Sequence, residues 1–482
     1  MEFETVIGLE VHAQLLTRSK MYCRCSASYA AAEPNTHLCP ICLGLPGALP
    51  VINHEAIVYT VMTGLALGCD VPAFSKFDRK NYIYPDLMKG YQISQYDHPL
   101  CVGGGLEFDS AGGRRRVGIR RVHLEEDTAR LVHRTRAGES YSLVDVNRSG
   151  VPLMEIVSDP DLQSPEDARL YLVALRQILR YLGVSSGYME EGAFRCDANV
   201  SQRSVDGSLV GAKVEIKNMN SFRSVERALA FEVERQRAAL LNGERIEQET
   251  RGWVEDQGIT VSQRTKEYAH DYRYFPEPDL PPVFLSELEV TGIRGRMPEL
   301  PAMRRERFVA DYALSAADAA VLTEERAVAD YFEASVDHEP ARARPAATWV
   351  SGEVFALMRE RGLGIDEVNV APAQLRELID LVAGETITRR TAKDVLVAVH
   401  ETGDDPGRIV EDRGLAQVSD VDRLRAVVDA VIAENPAPVA DYRRGKQQAL
   451  NSLLGQVMRQ MRGAANHAVA RQLLEEALNN GS

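Results

Sequence analysis

The stretch from Ala193 to Phe222 constrains the fold of this chain more than any other. Read with a period of two, Phe194, Cys196, Ala198 and Val200 share one face, and Arg195, Asp197, Asn199 and Ser201 share the other. A turn at Asp206–Gly207 separates this run from a second, in which Val214 and Ile216 oppose Lys213, Glu215 and Lys217. Successive side chains of an extended chain point to opposite faces, so the pattern is that of two strands of a half-buried antiparallel hairpin. One face must pack on a core. The other crowds carboxylates, amides and basic groups in a density that suits metal and phosphate binding, although the pattern alone leaves a merely solvated face open.

Two further segments alternate in the same way. TVIGLEVHAQL (5–15) sets Glu10, His12 and Gln14 against Leu9, Val11 and Ala13. VGIRRVHLEED (117–127) puts Arg121, His123 and Glu125 on one face, with Glu126 and Asp127 following. Adjacent carboxylates repel one another unless a cation or basic residues neutralise them, and oxygen-rich clusters favour Mg2+ or Mn2+ over zinc. Cys23 and Cys25 precede Cys39 and Cys42 by a loop of thirteen residues. That is the spacing of a four-cysteine zinc knuckle, whose closed coordination makes it structural; four reduced thiols are the alternative. Between 76 and 96, Lys76, Arg79, Lys80 and Lys89 interleave with Tyr82, Tyr84, Tyr91 and Tyr96. Such mixing suits phosphates and stacked bases, and also a solvated loop. Gly103–Gly105 lacks the Gly-Lys-Ser/Thr that would make it a phosphate-binding loop.

Helical signals flank the hairpin. Ser164-Pro165-Glu166-Asp167 supplies an N-cap, a proline at the first helical position and acids in the first turn, and Gly183 supplies the stop. A second helix runs from Phe222 to Asn242-Gly243. A proline-rich passage through Pro301 is followed by helical patterns at 302–336, 346–362, 372–402 and 420–435, with a break at GDDPG (403–407). The order of elements predicts an α+β chain: an antiparallel-sheet domain at 1–295, an all-α domain at 296–405 and a small helical tail at 406–482. The net charge of −14 argues against a general nucleic-acid coat protein, yet the segment from Asp441 onward carries six Arg and Lys against three Asp and Glu. Its Arg443, Arg444, Lys446, Arg459 and Arg462 could meet RNA phosphates or form a basic helix face. The N-terminus has no targeting pattern, and no apolar run reaches the ~18 residues of a membrane span. With the clustered cysteines, this predicts a reducing, cytoplasmic setting without a membrane.

GLEVHAQL, CPICLGLPGALPV, FDRKNYIYPDLMKGYQISQYD, HLEEDTARLVH, DVNRSGVPLMEIVSDPD, EEGAFRCDANVS, KVEIKNMNSFRSVERAL, DYRYFPEPDL and the terminal YRRGKQQALNSLLGQVMRQMRGAAN carry a resemblance. In this order, over essentially the whole chain, they are similar to the family of the GatB subunit of the bacterial aspartyl/glutamyl-tRNA(Asn/Gln) amidotransferase. The resemblance implies a cradle domain like those of glutamine synthetase and the guanido kinases, then a helical domain and a YqeY-like tail. It implies an ATP-dependent carbon–nitrogen ligase with Mg2+. The side-chain carboxylate of tRNA-bound Asp or Glu is phosphorylated, then amidated by ammonia. The amidase subunit GatA makes that ammonia from glutamine, and the small subunit GatC completes a heterotrimer that binds misacylated tRNA.

Carried onto matching positions, Glu10, His12, Glu125, Glu126, Asp197 and Glu215 form or support the Mg2+ site, with Glu10, His12, Glu125 and Asp197 as the catalytic set. Histidine is an unusual Mg2+ ligand, so His12 either ligates or orients a water or ligand. Arg79, Lys80, Lys89, Arg195, Lys213 and Lys217 are the expected contacts to ATP or the acceptor end. Cys23, Cys25, Cys39 and Cys42 would hold a structural Zn2+. The competing reading is an RNA-binding adapter in which chemistry happens elsewhere; a free-standing small-molecule ligase leaves the basic tail without a role.

Overall fold

The computed structural model describes residues 3–136, 138–205, 211–265, 272–417, 421–461 and 465–480. The chain divides into two compact units, Met1–Pro301 and Ala302–Ser482.

The first unit is built on a nine-stranded sheet. The elements that position the site are, in chain order, β1 (Phe3–Gln14), α1 (His54–Ala66), β2 (Asp78–Asn81), β3 (Tyr91–Ser94), β4 (Cys101–Val102), β5 (Gly105–Ser110), β6 (Gly113–Glu126), β7 (Pro152–Ser158), α2 (Pro165–Leu182), β8 (Phe194–Ser204), β9 (Val214–Lys217), α3 (Phe222–Leu241), β10 (Glu249–Val254) and β11 (Ile259–Thr265). The main sheet runs β11-β10-β9-β8-β1-β7-β6-β4, with β5 pairing β6. Every pairing is antiparallel except β9 with β10. The hairpin expected from the sequence is β8 with β9, Ala198 opposite Ile216 and Asn199 opposite Glu215; its turn at Asp206–Gly207 lies outside the described residues.

Alternation decides which face is buried. Ile7, Leu9, Val11 and Ala13 of β1, with Phe194, Ala198 and Val200 of β8, are sealed in the largest core. The helices α1, α2 and α3 supply its other side through Val61, Tyr171, Leu172, Leu175, Leu179, Val225 and Leu229. Full burial of such a side chain contributes about 1.5–3 kcal/mol of transfer free energy. The helices begin and end where their caps dictate. The Ser164 side chain accepts from Asp167 N–H, Ser221 accepts from Ser224 N–H, and Gly183 closes α2 at φ 70° in the left-handed region. With helices on one face, the polar side chains of the sheet fall on the opposite face. A three-stranded sheet of 275–276, β2 and β3 stands beside it.

The second unit is helical throughout its described elements. The span expected at 302–336 is three helices, Pro301–Tyr312, Ala316–Leu322 and Arg326–Val336, and 372–402 is two, Pro372–Ala383 and Arg389–Thr402. The first break falls where Ala313 takes a positive φ and Ser315 starts a new helix with its own cap. Ile409 and Val410 belong to the core that begins at Phe308, and a separate core runs from Leu424 to Leu478.

Candidate active site on the open face of the sheet

Strand register assembles the site. His12 lies opposite Arg195 on one side and Glu155 on the other, and Glu155 lies opposite His123. Directly paired residues share a face, so one row crosses four strands on the polar side. A second row places Glu10 beside Asp197, and a third places Gln14, Leu153 and Glu125 in line. His12 Nε2 sits 3.5 Å from Glu125 Oε1 and 3.6 Å from Glu155 Oε2; His123 Nε2 is 3.2 Å from Glu155 Oε2. Glu125 and Glu155 are both buried.

The charges of this group are mutually dependent. Burial alone would push His12 down, but the Glu155, Glu125 and Asp197 carboxylates outweigh it and push it up to about 9. Burial would likewise raise Glu155, yet His123 and His12 hold it well below the usual carboxylate range. Glu125 Oε2 is buried without a hydrogen-bond partner among the described residues. An ionised oxygen left this way is costly unless a cation meets it. His12, Glu125 and Glu155 offer ligand atoms within 4.8 Å of one another, a donor set that fits a divalent metal.

A cavity of about 370 Å3 opens beside His12 and Glu125. Lys80, Arg195 and Lys217 enter its wall from three elements, with Asp127, Asp197 and Tyr82. Lys217 Nζ donates to Asp197 Oδ2 at 2.5 Å, and Arg195 donates to both oxygens of Asp127 at 3.2 Å. Lys80 Nζ lies 5.1 Å from the centre of the Tyr272 ring. Cations gathered around buried carboxylates can neutralise a polyphosphate and a substrate carboxylate together.

The cysteines form a second cluster in the same unit. Cys23 Sγ is 3.5 Å and Cys39 Sγ 3.7 Å from Cys42 Sγ, and all four sulfurs lie within 4.8 Å. Tetrahedral zinc with bonds of about 2.3 Å separates its sulfurs by about 3.8 Å. A disulfide would bring two of them to about 2 Å. The residues present therefore fit a four-thiolate metal.

Residues 5–291 match the GatB/GatE catalytic domain and residues 330–478 match the GatB domain. Over 478 residues, 99% of each chain, the sequence is 70% identical to the aspartyl/glutamyl-tRNA(Asn/Gln) amidotransferase B subunit of Thermomicrobium roseum. It is 53% identical over 490 residues to the protein of that name from Dehalococcoides mccartyi, with both chains fully covered. It is 53% identical over 483 residues to that of Roseiflexus castenholzii, covering 99% of each. The chain belongs to the GatB family.

In this GatB-family chain the catalytic-domain match contains both clusters. The residues expected from sequence fall into three groups. His12, Glu125, Asp197, Lys80, Arg195 and Lys217 meet at one cavity. Glu10 and Lys213 line an adjoining depression of about 330 Å3 on the same sheet, where Asn199 Nδ2 donates to Glu10 Oε1 at 2.9 Å. Glu215 stands apart from the metal group, accepting from Thr250 Oγ1 at 2.7 Å and facing Lys217 at 3.3 Å.

The third group has partners away from the metal group. Glu126 follows Glu125 by one residue, so alternation turns it to the other side, where Lys89 and the Ile93 N–H hold it. Both donors meet Glu126 Oε1, which matches the charge of Lys89. Arg79 makes a bidentate pair with Glu277 at 2.7 and 2.8 Å and lies 4.3 Å from the Tyr91 ring centre, so its charge is already matched. Glu155 and the bracing role of Asp127 are not among the expectations from sequence. Glu155 is the one acid of PLMEIVS, but nothing in that pattern sets it beside His12. In the tail, Arg443, Arg444, Lys446 and Arg459 are exposed, with Arg444 and Lys446 paired to Asp441; Arg462 lies outside the described residues.

Proposed function

We propose that this chain is the activating and amide-forming subunit of a glutamine-dependent tRNA amidotransferase. ATP phosphorylates the side-chain carboxylate of Asp-tRNA(Asn), Glu-tRNA(Gln) or both, and ammonia then gives Asn-tRNA(Asn) or Gln-tRNA(Gln). The observation that carries the reading is the meeting of His12 and Glu125, which share a possible metal group with Glu155, with Lys80, Arg195 and Lys217 at one cavity.

The chemistry asks for this combination. A carboxylate does not react with ammonia, because its carbonyl carbon carries a poor leaving group. When a carboxylate oxygen attacks the γ-phosphorus, the bond to the β-phosphate oxygen breaks and ADP departs. Ammonia then attacks the acyl carbon and inorganic phosphate leaves. Both displacements need charge neutralisation and positioning more than a protein nucleophile. A bound Mg2+ would neutralise the phosphate oxygens. Glu125 and Glu155 would hold it, with His12 ligating after losing its proton or orienting a bound water, and with Asp197 and Glu10 supporting. Lys80, Arg195 and Lys217 would orient the phosphates and the acceptor carboxylate, with Lys213 at the neighbouring depression. Zn2+ in the cysteine cluster would be structural.

The amide donor is glutamine, hydrolysed by an amidase subunit (GatA) with a small subunit (GatC) completing the complex. Residues 1–295 form the catalytic segment, followed by a helical segment and a tail beginning near Val421. Arg443, Arg444, Lys446 and Arg459 of the tail meet tRNA phosphates. No helix among the described residues is long and apolar enough to cross a membrane, and the proposed setting is the cytoplasm.

The test uses the complex with its partner subunits, ATP, Mg2+ and misacylated tRNA, with ammonium chloride replacing glutamine. ADP release and amidated tRNA are followed for wild type and Glu125→Ala. Loss of both products with tRNA still bound supports the proposal. Unchanged turnover would sink it and leave a tRNA-holding adapter.

A further inference from the structure

Lys20 is fully buried, with no exposed surface. An ammonium has three N–H donors, and here all three are committed: to His37 O at 2.7 Å, to Val146 O at 3.5 Å and to Cys42 Sγ at 3.5 Å. No carboxylate lies within ion-pair distance of its Nζ among the described residues. Glu126 and the Lys20 stem both lie next to Gly150. That carboxylate is paired to Lys89 instead.

A buried ammonium with only neutral partners carries a large desolvation penalty. Carbonyl oxygens repay part of it; they carry no compensating charge. Four neutral thiols would add none. Four thiolates around a divalent metal carry a net charge of −2, and the one donor of Lys20 that is not given to a carbonyl points at one of those sulfurs. We infer that Lys20 is the charge partner of the metal–thiolate centre formed by Cys23, Cys25, Cys39 and Cys42, a positioning residue that lowers the net charge of the buried cluster from −2 to −1. The inference rests on the proposed metal loading of the knuckle and adds the residue that makes a dianion tolerable inside the fold.

The same contacts tie the centre to the active face. Lys20 donates to Val146 O, and Asn147 Oδ1 accepts from His37 N–H at 2.8 Å. The next residue, Arg148, donates to Thr128 O and Ala129 O at 2.9 Å each. Thr128 and its neighbour Asp127 line the cavity. The centre and its ammonium therefore fix the loop that carries one wall of the site.

The experiment compares full-length wild type, Lys20→Met, Lys20→Gln and Lys20→Arg, each purified with the partner subunits. Metal content is measured first, then zinc extraction by a competing chelator. The thiolate-to-metal charge-transfer band is recorded after cobalt(II) replaces zinc. Wild type is expected to hold one zinc per chain. The two neutral variants should lose about 10–100-fold in zinc affinity, and their cobalt band should move to longer wavelength as the thiolates lose a neighbouring positive charge. Lys20→Arg should restore the band. Lys20→Gln retains N–H donors and decides the question if Lys20→Met does not fold. Asn147→Ala, which loosens the same loop without changing charge, should leave the band in place. Wild type without zinc would overturn both the metal reading and the role of Lys20. Zinc-loaded neutral variants with unchanged affinity and an unmoved band would overturn the role of Lys20 alone.

Discussion

Asp127 holds Arg195 from beneath, each of its oxygens 3.2 Å from the guanidinium. The carboxylate is buried, accepts from Gln14 Nε2 at 2.7 Å and faces Arg148 at 3.6 Å. Burial would raise its pKa, but Arg195 and Arg148, with the Gln14 hydrogen bond, hold it below the ordinary value. Asp127 is thus a charged brace, and Arg195 reaches the cavity from a fixed base.

Asp127→Asn keeps the shape and removes the charge. Arg195 should lose its alignment, and a misplacement of about 1 Å at a reacting centre costs about 100-fold. Ammonia-dependent formation of amidated tRNA should fall by that order, with tRNA affinity unchanged in a filter-binding assay. Equal turnover in the variant would separate Arg195 from the chemistry.

Glu155 is a carboxylate that the sequence pattern does not single out. It lies between two histidines and shares the metal group with His12 and Glu125. Glu155→Gln preserves the volume and withdraws a ligand charge, so Mn2+ affinity, read by electron paramagnetic resonance, should weaken about 10–100-fold. ADP release should fall with it. Glu126→Gln, on the other side of the strand, should leave Mn2+ affinity close to that of wild type.

The contrast between these two acids shows what is legible in the sequence. Period-two alternation in β1 and β8 is unambiguous, so Glu10, His12, Arg195 and Asp197 fall on one polar face with their apolar neighbours inside, as the structure has them. The acidic run Glu125–Asp127 looks like one cluster in sequence, although a strand must split consecutive residues between faces. Glu155 is hidden because which strand lies beside β1 is a matter of long-range pairing; only the register of β7 brings it to His12. Arg79 and Lys89 look like free cations because their partners, Glu277 and Glu126, are 198 and 37 residues away in sequence.

The helical unit offers a test of stability independent of the site. Glu333 accepts from Arg304, from Arg307 at 2.6 Å and from Tyr312 at 3.2 Å. Burial alone would raise its pKa, but the hydrogen bonds from Arg307 and Arg304 hold it below the ordinary value. A depressed folded-state pKa gives stability that is present above the ordinary carboxylate range and lost as pH falls through the folded value. Glu333→Gln should therefore cost about 2 kcal/mol near neutrality, and the deficit relative to wild type should shrink in acid. Urea unfolding of the helical unit at several pH values measures it; a deficit that grows on acidification would contradict the assignment.

The tail separates the catalytic reading from the adapter reading. A chain of net charge −14 repels RNA at long range, so its affinity must come from local cations that release counterions from phosphates. Arg443 and Arg459 are exposed on neighbouring helices of the last core, Pro436–Arg443 and Gln448–Gln460. Replacing both with glutamine should weaken tRNA binding about equally for every sequence. It should also reduce the slope of log affinity against log salt by roughly 0.9 for each phosphate no longer neutralised. If the cradle does the chemistry, this variant raises KM for tRNA and leaves kcat near wild type, whereas Glu155→Gln lowers kcat and leaves tRNA affinity intact. If the chain were only an adapter, both variants would act through KM, because neither would touch the reacting atoms. The two kinetic signatures cannot be exchanged, since a group that meets phosphates at a distance contributes equally to ground and transition states, and a ligand of the reacting centre does not.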